Sequence, residues 1–351
     1  GEAYVWQEPA PVTLHEMRLL GLRPGTRYEL WATSRDGDGA LVWQGEGAFE
    51  TGELPFPVPS IQVVEHDSER MQPGWTLTSF LVAPDLDRRA AVMPHPDGQP
   101  RRHHPFESLG APAAGDVPPL ADRRPALIGP LPTEGQRPVE LAPTGDVVWE
   151  GPAQSAIGVS GYMHHTLQKL PGGDYLALFF DFVDSEHSDV IEQFSADGEV
   201  VWSWDTRALA TEIGTAVWAN AVQMDGDAVY LNSRWHSLLY RVDRATGEVV
   251  WALGDGGDFA LEGEHDDPWF AGAHATTVLA DGHVLAFDNG NGVREYTRVI
   301  EYAIDEDART ARVVWEYPGA QSDDPWTTSV WGDVQRLDNG NTLVTAGSMI
   351  E

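Results

Sequence analysis

One pattern recurs four times in the second half of this sequence, and it constrains the fold more than any other feature. Its clearest copy, Ala271–Trp315, has the alternating residues of short, half-buried strands. The predicted strands are His274–Thr277, His283–Asp288, Thr297–Ile304 and Ala311–Tyr317. Turn glycines 54, 56 and 58 residues apart mark the four copies, at Gly172, Gly226, Gly282 and Gly340. Four strands in a repeat of roughly 40–60 residues are typical of a β-propeller blade.

The rest of the chain extends this to an all-β protein, a six-bladed β-propeller preceded by part of a small β-sandwich. Two strands around a turn at 21–55 resemble the end of a fibronectin type III sandwich, with Tyr28 at its tyrosine corner. We predict a partial sandwich at 1–54, a linker at 55–73 and a propeller at 74–351 whose last blade is incomplete. An irregular hairpin leader and a count of seven blades are the alternatives. Four outer strands end in Val-Trp and should pack between blades through Trp149, Trp202, Trp251 and Trp315.

The charge balance of the chain argues against nucleic acid as a partner. Asp and Glu number 55 against 22 Lys and Arg, which gives a net charge of −33, whereas phosphate contacts need clustered basic residues.

No run of about eighteen apolar residues occurs, so no membrane span is expected. Cysteine is absent, which excludes disulfides and thiolate chemistry.

Two histidines occupy equivalent places in different repeats. His165 lies eight residues before Gly173, as His274 does before Gly282, in the strand expected to line the central channel. Histidine suits nucleophilic or acid–base work because its pKa lies near neutrality; a hydrogen-bonded structural role is the alternative. The equivalent residue in the next repeat is Trp218 or Ala219. His164 should point away from His165, because successive side chains alternate along a strand.

Two further segments carry candidate residues. Arg234 ends a predicted second strand, where its guanidinium could bind a tetrahedral oxyanion at the channel mouth, with Trp235 and His236 as walls of the pocket. A surface arginine is the alternative. The residues of the FDNGNG segment are mainly those typical of a turn. Asp288 and Asn289 within it are also weak candidates for a structural calcium site.

Several of these segments resemble the arylsulfotransferase family, the secreted aryl-sulfate sulfotransferases that do not use PAPS. They are MHHTLQKLPGGDYLAL, LNSRWHSLLYRVDRATGEVVWALG, AHATTVLADGHVLAFDNGN, TRVIEYAIDEDARTARVVWEY and VQRLDNGNTLVTAG. The resemblance implies a six-bladed propeller in which a channel histidine carries a sulfuryl group from a phenolic sulfate to a phenol.

The family's site residues transfer to this sequence with one departure. The nucleophile falls on His274, the supporting arginine on Arg234, and the first auxiliary histidine on the His164–His165 pair, in particular His165. The family pattern Trp-x-His-x-Asn keeps its last residue as Asn220, but Trp218 stands at the histidine position. This exchange removes one donor from the oxyanion cluster. Trp218, Trp235 and Trp269 offer rings for stacking on aromatic substrates.

The resemblance implies aromatic sulfates and phenols as partners, no required cofactor, and a secreted, periplasmic or cell-surface location. The oligomeric state cannot be read from the sequence. Two other functions fit the same residues. One is a lyase or hydrolase that uses the same histidines, with or without a metal; the other is a non-catalytic propeller for adhesion or assembly outside the cell.

Overall fold

The structure, a computed structural model, describes residues 5–7, 12–17, 19–54, 61–74, 76, 78–82, 88–95, 98–105, 126–131, 135–142, 146–151, 163–183, 186–318 and 325–347. The chain divides into two compact units. One consists of Gly1–Ala113 with Leu141–Val148, and the other of Ala114–Glu140 with Trp149–Glu351. Residues 55–60 of the predicted linker lie outside the described residues. The rest of that linker, 61–73, contains no helix or strand.

The first unit begins with a hairpin of β1 (Arg27–Arg35) and β2 (Leu41–Glu50). Tyr28 stacks on Phe49, and its hydroxyl oxygen accepts the backbone N–H of Arg23 at 2.7 Å. The predicted pair of strands is therefore confirmed, and the tyrosine bonds upstream backbone as a tyrosine corner does. Membership of the fibronectin type III class stays a prediction. Three antiparallel strands follow, β3 (Thr78–Val82), β4 (Arg88–Pro94) and β5 (Pro100–Pro105).

Antiparallel strands also build the second unit. β6 (Ala126–Leu131) pairs with β7 (Gly135–Leu141), and β8 (Val147–Glu150) comes next in the chain. The first repeat sheet contains β9 (Met163–Lys169), β10 (Tyr175–Val183), β11 (Glu186–Phe194) and β12 (Val200–Asp205). The second contains β13 (Ala219–Asp225), β14 (Ala228–Ser233), β15 (Leu238–Asp243) and β16 (Val249–Gly254).

The third repeat sheet contains β17 (Ala260–Leu261), β18 (Ala275–Val278), β19 (Val284–Asp288), β20 (Arg298–Asp305) and β21 (Thr310–Tyr317). β22 (Asp333–Arg336) and β23 (Thr342–Thr345) form a fourth, two-stranded sheet. The four predicted strands of Ala271–Trp315 are thus confirmed to within a residue or two. The fold is all-β, but no closed ring of sheets is seen among the described residues, and six blades stay a prediction.

One helix, α1 (Arg207–Ile213), interrupts this pattern after β12. Within the described ranges, no helix combines the length and the apolar character that crossing a bilayer requires.

The Val-Trp strand ends join successive sheets through the indole N–H. Three of them donate to the turn before the last strand of the next repeat sheet: Trp149 to the Ala196 carbonyl, Trp202 to the Arg244 carbonyl and Trp251 to the Glu306 carboxylate, at 2.9–3.0 Å. Trp315 packs with Val334 and Val344 of the fourth sheet. The predicted packing of these residues between sheets is confirmed, and it explains why Val-Trp recurs.

The first strands of the repeat sheets lie next to one another. The Gln168 side-chain amide bonds both the N–H and the carbonyl of Met224, so that β9 is joined to β13. Gln223 bonds Val278 in the same way and joins β13 to β18. A glutamine amide carries one donor and one acceptor side and so imitates a neighbouring strand. The segments that begin near His165, Trp218 and His274 are thereby held together at adjacent edges of their sheets.

Candidate functional site

A break in the first strand brings two histidines together. The pairing of β9 with β10 shifts register between Ala177 and Leu178, and His165 has a left-handed backbone with φ of 53°. Such a conformation interrupts the side-chain alternation of a strand. The rings of His164 and His165 consequently meet, with their Nδ1 atoms 2.8 Å apart. The expectation that His164 points away from His165 is wrong for this reason.

His164 is held on its other sides by a ring and a carboxylate. It stacks face to face on Phe180, with centroids 3.7 Å apart, and its Nε2 lies 3.6 Å from Oδ1 of Asp189. Asp189 is completely buried, and its Oδ2 accepts the backbone N–H of Ala219 at 2.8 Å. Asp189 was not a candidate in the sequence, because the chain has many acidic residues and only the pairing of β10 with β11 places this one beneath the histidines.

The tautomer of His274 follows from its partner. Asn289 donates both amide hydrogens to carbonyls, those of Thr328 at 2.8 Å and Trp331 at 3.0 Å. Its Oδ1, which lies 2.8 Å from Nδ1 of His274, is therefore the acceptor. The proton of His274 accordingly resides on Nδ1, and Nε2 carries a lone pair. Among the described residues, no group hydrogen-bonds this Nε2.

The rings of His165 and His274 lie on one site. Their centroids are 6.3 Å apart. Burial lowers the pKa of His274 to about 4; the Asn289 hydrogen bond raises it, and the charges of Arg234 and His165 lower it. Burial also lowers the pKa of His165 to about 4. The Asp189 carboxylate raises this pKa, and the positive charge of Arg234 lowers it. Both imidazoles are therefore neutral at physiological pH, and Arg234 is close enough to act on each.

Among the described residues, the guanidinium of Arg234 has no carboxylate partner. Its backbone N–H donates to the Trp218 carbonyl, and one guanidinium nitrogen donates to the Ser329 carbonyl at 3.1 Å. Within the described residues no carboxylate pairs with it, and its buried Nε has no acceptor. A chain of net charge −33 supplies carboxylates in excess. An arginine that remains unpaired in such a chain, beside two neutral histidines, has the chemistry of an anion-binding group.

Exposed tryptophans lie near Arg234. Trp218 and Trp235 are 41% and 65% exposed and stack on each other, with centroids 6.0 Å apart. Trp331 is 43% exposed, and its carbonyl accepts the amide of Asn289. Trp218 and Trp331 share the left-handed backbone conformation of His165. Trp331 was missed in the sequence, because the comparison of repeats drew attention to its neighbour Gly332.

The remaining candidate residues lie in distinct surroundings. Asn220 is buried in β13, and its side-chain nitrogen has no acceptor in the described part of the chain, which suits an oxyanion donor. His236 is fixed by the Ala216 carbonyl, 3.1 Å from its Nε2. Trp269 stacks on Tyr302 and packs against the core of the third repeat sheet. The structure thus gives Trp269 a packing contact and shows none to the histidines.

The FDNGNG turn does not fit a calcium ion. Asp288 forms ion pairs with Arg294 and Arg298, and its Oδ1 accepts the backbone N–H groups of Ala271 and Gly290. Asn289 orients His274 and has no amide hydrogen to spare. Two guanidinium groups beside the carboxylate would repel a divalent cation. In the described residues no group of three His, Asp or Glu side chains has the arrangement of a metal site.

Comparison with known proteins shows the family to which the chain belongs. The model of the arylsulfotransferase (ASST) family matches residues 154–351, more than half of the chain. The chain therefore belongs to the arylsulfotransferase family. Among curated proteins, none matches it.

Solved structures that resemble the chain include one that is described as a β-propeller domain. One is a protein of unknown function from Bacteroides caccae, 13% identical, with a TM-score of 0.44, covering 82% of this chain and 92% of its own. Another is the β-propeller domain of Cps50 (Swd1) from Myceliophteria thermophila, 8% identical, with a TM-score of 0.38 and coverage of 65% and 66%. Likenesses of this size carry no information about function.

Proposed function

We propose that this protein is an aryl-sulfate sulfotransferase that moves a sulfuryl group from a phenolic sulfate to a phenol by way of His274. The observation that carries the proposal is the unpaired guanidinium of Arg234 beside the neutral His274, whose Nδ1 is held by Asn289. An anion-binding cation and an oriented lone pair are the two elements that nucleophilic attack on a sulfate ester needs.

The first half-reaction begins with the aryl sulfate held by its oxygens. The fork of Arg234 and the buried amide of Asn220 are available as donors to these oxygens. Nε2 of His274 attacks sulfur, the N–S bond forms, and the S–O bond to the aromatic ring breaks. The electron pair leaves on the phenolate, which departs readily because phenol has a pKa of about 10.

The second half-reaction reverses this path with a different phenol. The oxygen of the acceptor forms a bond to sulfur while the N–S bond of His274 breaks, and the acceptor loses its hydroxyl proton. His274 returns to the tautomer that Asn289 selects. Trp218, Trp235 and Trp331 supply aromatic faces beside the reacting atoms for both phenols.

Trp218 changes the oxyanion cluster of this protein. An indole at the position of the family histidine removes one donor and adds apolar surface. We therefore assign the protein larger aromatic substrates and slower sulfuryl transfer than a member with the full cluster. We also propose that it works outside the cytoplasm, as a secreted, periplasmic or cell-surface protein, with small aromatic sulfates and phenols as its partners and no cofactor.

The experiment is a transfer assay with a chromogenic aryl sulfate and a phenol acceptor between pH 5 and 9. The wild type should release the donor phenol and form the new sulfate ester, and His274→Asn should lose transfer by about 10³-fold or more. His283→Asn is the matched control, because His283 precedes β19 at the end opposite Asn289 and bonds Glu301. A wild-type protein without transfer, or an active His274→Asn variant, would refute the proposal.

A further inference from the structure

We propose that Asp189, His164 and His165 form a proton relay, in which His165 exchanges a proton with the phenol and His164 carries the positive charge beside Asp189. The inference rests on the proposed sulfotransfer and assigns the proton that this reaction must move. Asp189 and His164 would act through His165 and are positioning residues.

The contact between the two histidines requires one shared proton. Their Nδ1 atoms are 2.8 Å apart, so one of them donates and the other accepts. Stacking on Phe180 and burial leave His164 little freedom to rotate. Its Nε2 faces the Asp189 carboxylate at 3.6 Å. A buried carboxylate favours a proton on the nitrogen that it faces.

This arrangement determines the state of His165. With its proton on Nε2, neutral His164 has a lone pair on Nδ1 and accepts the N–H from Nδ1 of His165. The second nitrogen of His165, Nε2, then carries a lone pair on the ring edge away from His164. The His274 ring lies 6.3 Å from this ring. A phenol that attacks a sulfur atom held on His274 therefore lies close to the His165 ring.

The proton transfer balances over a complete cycle, because the first donor phenolate leaves without a proton and the relay gains one from the acceptor. As the acceptor phenol attacks sulfur, its O–H bond breaks and Nε2 of His165 takes the proton. The Nδ1 proton of His165 passes to Nδ1 of His164, which becomes an imidazolium next to Asp189, while His165 stays neutral. In the following cycle, Nε2 of His165 gives its proton to the departing phenolate, and His164 returns the other proton.

The charges around the site favour His164 as the final carrier. Burial and the positive charge of Arg234 both oppose an imidazolium at His165, whereas Asp189 favours one. His274 is neutral and adds no compensating charge. His164 is the member of the pair at ion-pair distance from the carboxylate. Without the second histidine, His165 would be too weak a base for a phenol that is un-ionised at the working pH.

The test compares acceptors of different acidity in Asp189→Asn and His164→Asn variants. The donor should carry a highly acidic leaving phenol, so that its departure needs no proton. Transfer to un-ionised phenols should fall on the order of 10²-fold in kcat, because general base catalysis contributes about that much. Transfer to phenols that are already ionised at the assay pH should change by less than about threefold, with little change in KM.

Glu301→Gln is the matched control, since Glu301 also bonds a histidine, His283, but lies away from the site. It should leave both classes of acceptor unaffected. Equal losses for ionised and un-ionised phenols in the relay variants would overturn the relay and leave the sulfotransfer intact. Absence of transfer in the wild type would instead refute the function on which the relay rests.

A second measurement, on the wild-type protein, tests the relay even if the variants fail to fold. Nitrogen-15 NMR of the histidine rings in the wild-type protein at pH 7 should find His165 protonated on Nδ1 and unprotonated on Nε2. His165 with its proton on Nε2 would overturn the proposed direction of the relay, whatever the fate of the variants.

Discussion

Oδ1 of Asn289 accepts a hydrogen bond of 2.8 Å from Nδ1 of His274, and two carbonyl acceptors fix the orientation of the Asn289 amide. The backbone of Thr328 and Trp331 thereby determines which nitrogen of His274 is free to react. Asn289 was considered in the sequence for its oxygen as a metal ligand, whereas the structure uses that oxygen to select a tautomer.

The first prediction tests this hydrogen bond. Asn289→Ala should lower kcat about 10–100-fold, because a lost hydrogen bond of about 1–3 kcal/mol lets the imidazole rotate and change tautomer. KM should change little, since Asn289 does not supply the anion-binding charge. Steady-state kinetics with one aryl sulfate measure both parameters. A variant with an unchanged kcat and a raised KM would contradict the assigned role.

The second prediction concerns the unpaired guanidinium. Arg234→Met should reduce kcat/KM by about 10²-fold or more, because removal of a transition-state donor costs about 3–4 kcal/mol. Arg234→Lys should recover part of this loss, since an ammonium keeps the charge but not the two-pronged geometry. Competitive inhibition by inorganic sulfate should be strongest in the wild type, weaker in Arg234→Lys and weakest in Arg234→Met. Equal inhibition of all three proteins by sulfate would place the anion elsewhere.

The third prediction follows from the pKa of the nucleophile. Burial lowers the pKa of His274 to about 4, so the reactive neutral form persists above that pH. With an acceptor that is ionised throughout, kcat/KM should stay level from pH 8 down to about 5 and fall only as pH approaches 4. A pH–rate profile measures this. A decline centred near the ordinary histidine pKa of about 6.5 would show that the nucleophile is not desolvated.

The repeat made the third sheet predictable, but not the contacts among its loops. Alternating residues and turn glycines fix the strands of Ala271–Trp315 almost to the residue, because each strand is buried on defined faces. His274 and Arg234 were predicted as site residues because they occupy special places in that repeat. The partnership of His164 with His165 was not predictable, since a left-handed backbone at a histidine leaves no mark in the residue pattern. Asp189 and Trp331 join the site only through the pairing of strands and the course of a loop.

The fourth prediction concerns stability away from the site. Burial raises the pKa of Glu192 to about 7, and the negative charge of Asp181 adds to this effect. The unfolded chain ionises this carboxyl near pH 4.5, so its contribution to stability is lost as pH rises from there through 7. Glu192→Gln should therefore raise the free energy of unfolding by about 1–3 kcal/mol at pH 8 and change it little at pH 4. Denaturant unfolding at both pH values measures the difference, and the exposed Glu199→Gln provides the control.

The last prediction concerns the indole in place of the family histidine. Trp218 is 41% exposed, and the ring it contacts, Trp235, is more exposed still. Its left-handed backbone, φ 53°, is the same as that of His165, so a histidine adopts this backbone conformation elsewhere in the protein. Trp218→His should therefore fold with an unchanged melting temperature.

In the Trp218→His variant a new imidazole would lie close to Arg234, whose N–H bonds the carbonyl of residue 218. An added donor to the sulfate oxygens should raise kcat for small aryl sulfates about tenfold, since one hydrogen bond contributes about 1 kcal/mol or more. The same change removes an aromatic face, so KM for large polycyclic phenols should rise. Trp235→His provides the comparison, because it also replaces an indole by an imidazole but leaves position 218 unchanged. If Trp218→His slows transfer to small and large acceptors alike, the indole is part of the working site of this protein rather than a replacement that weakens it.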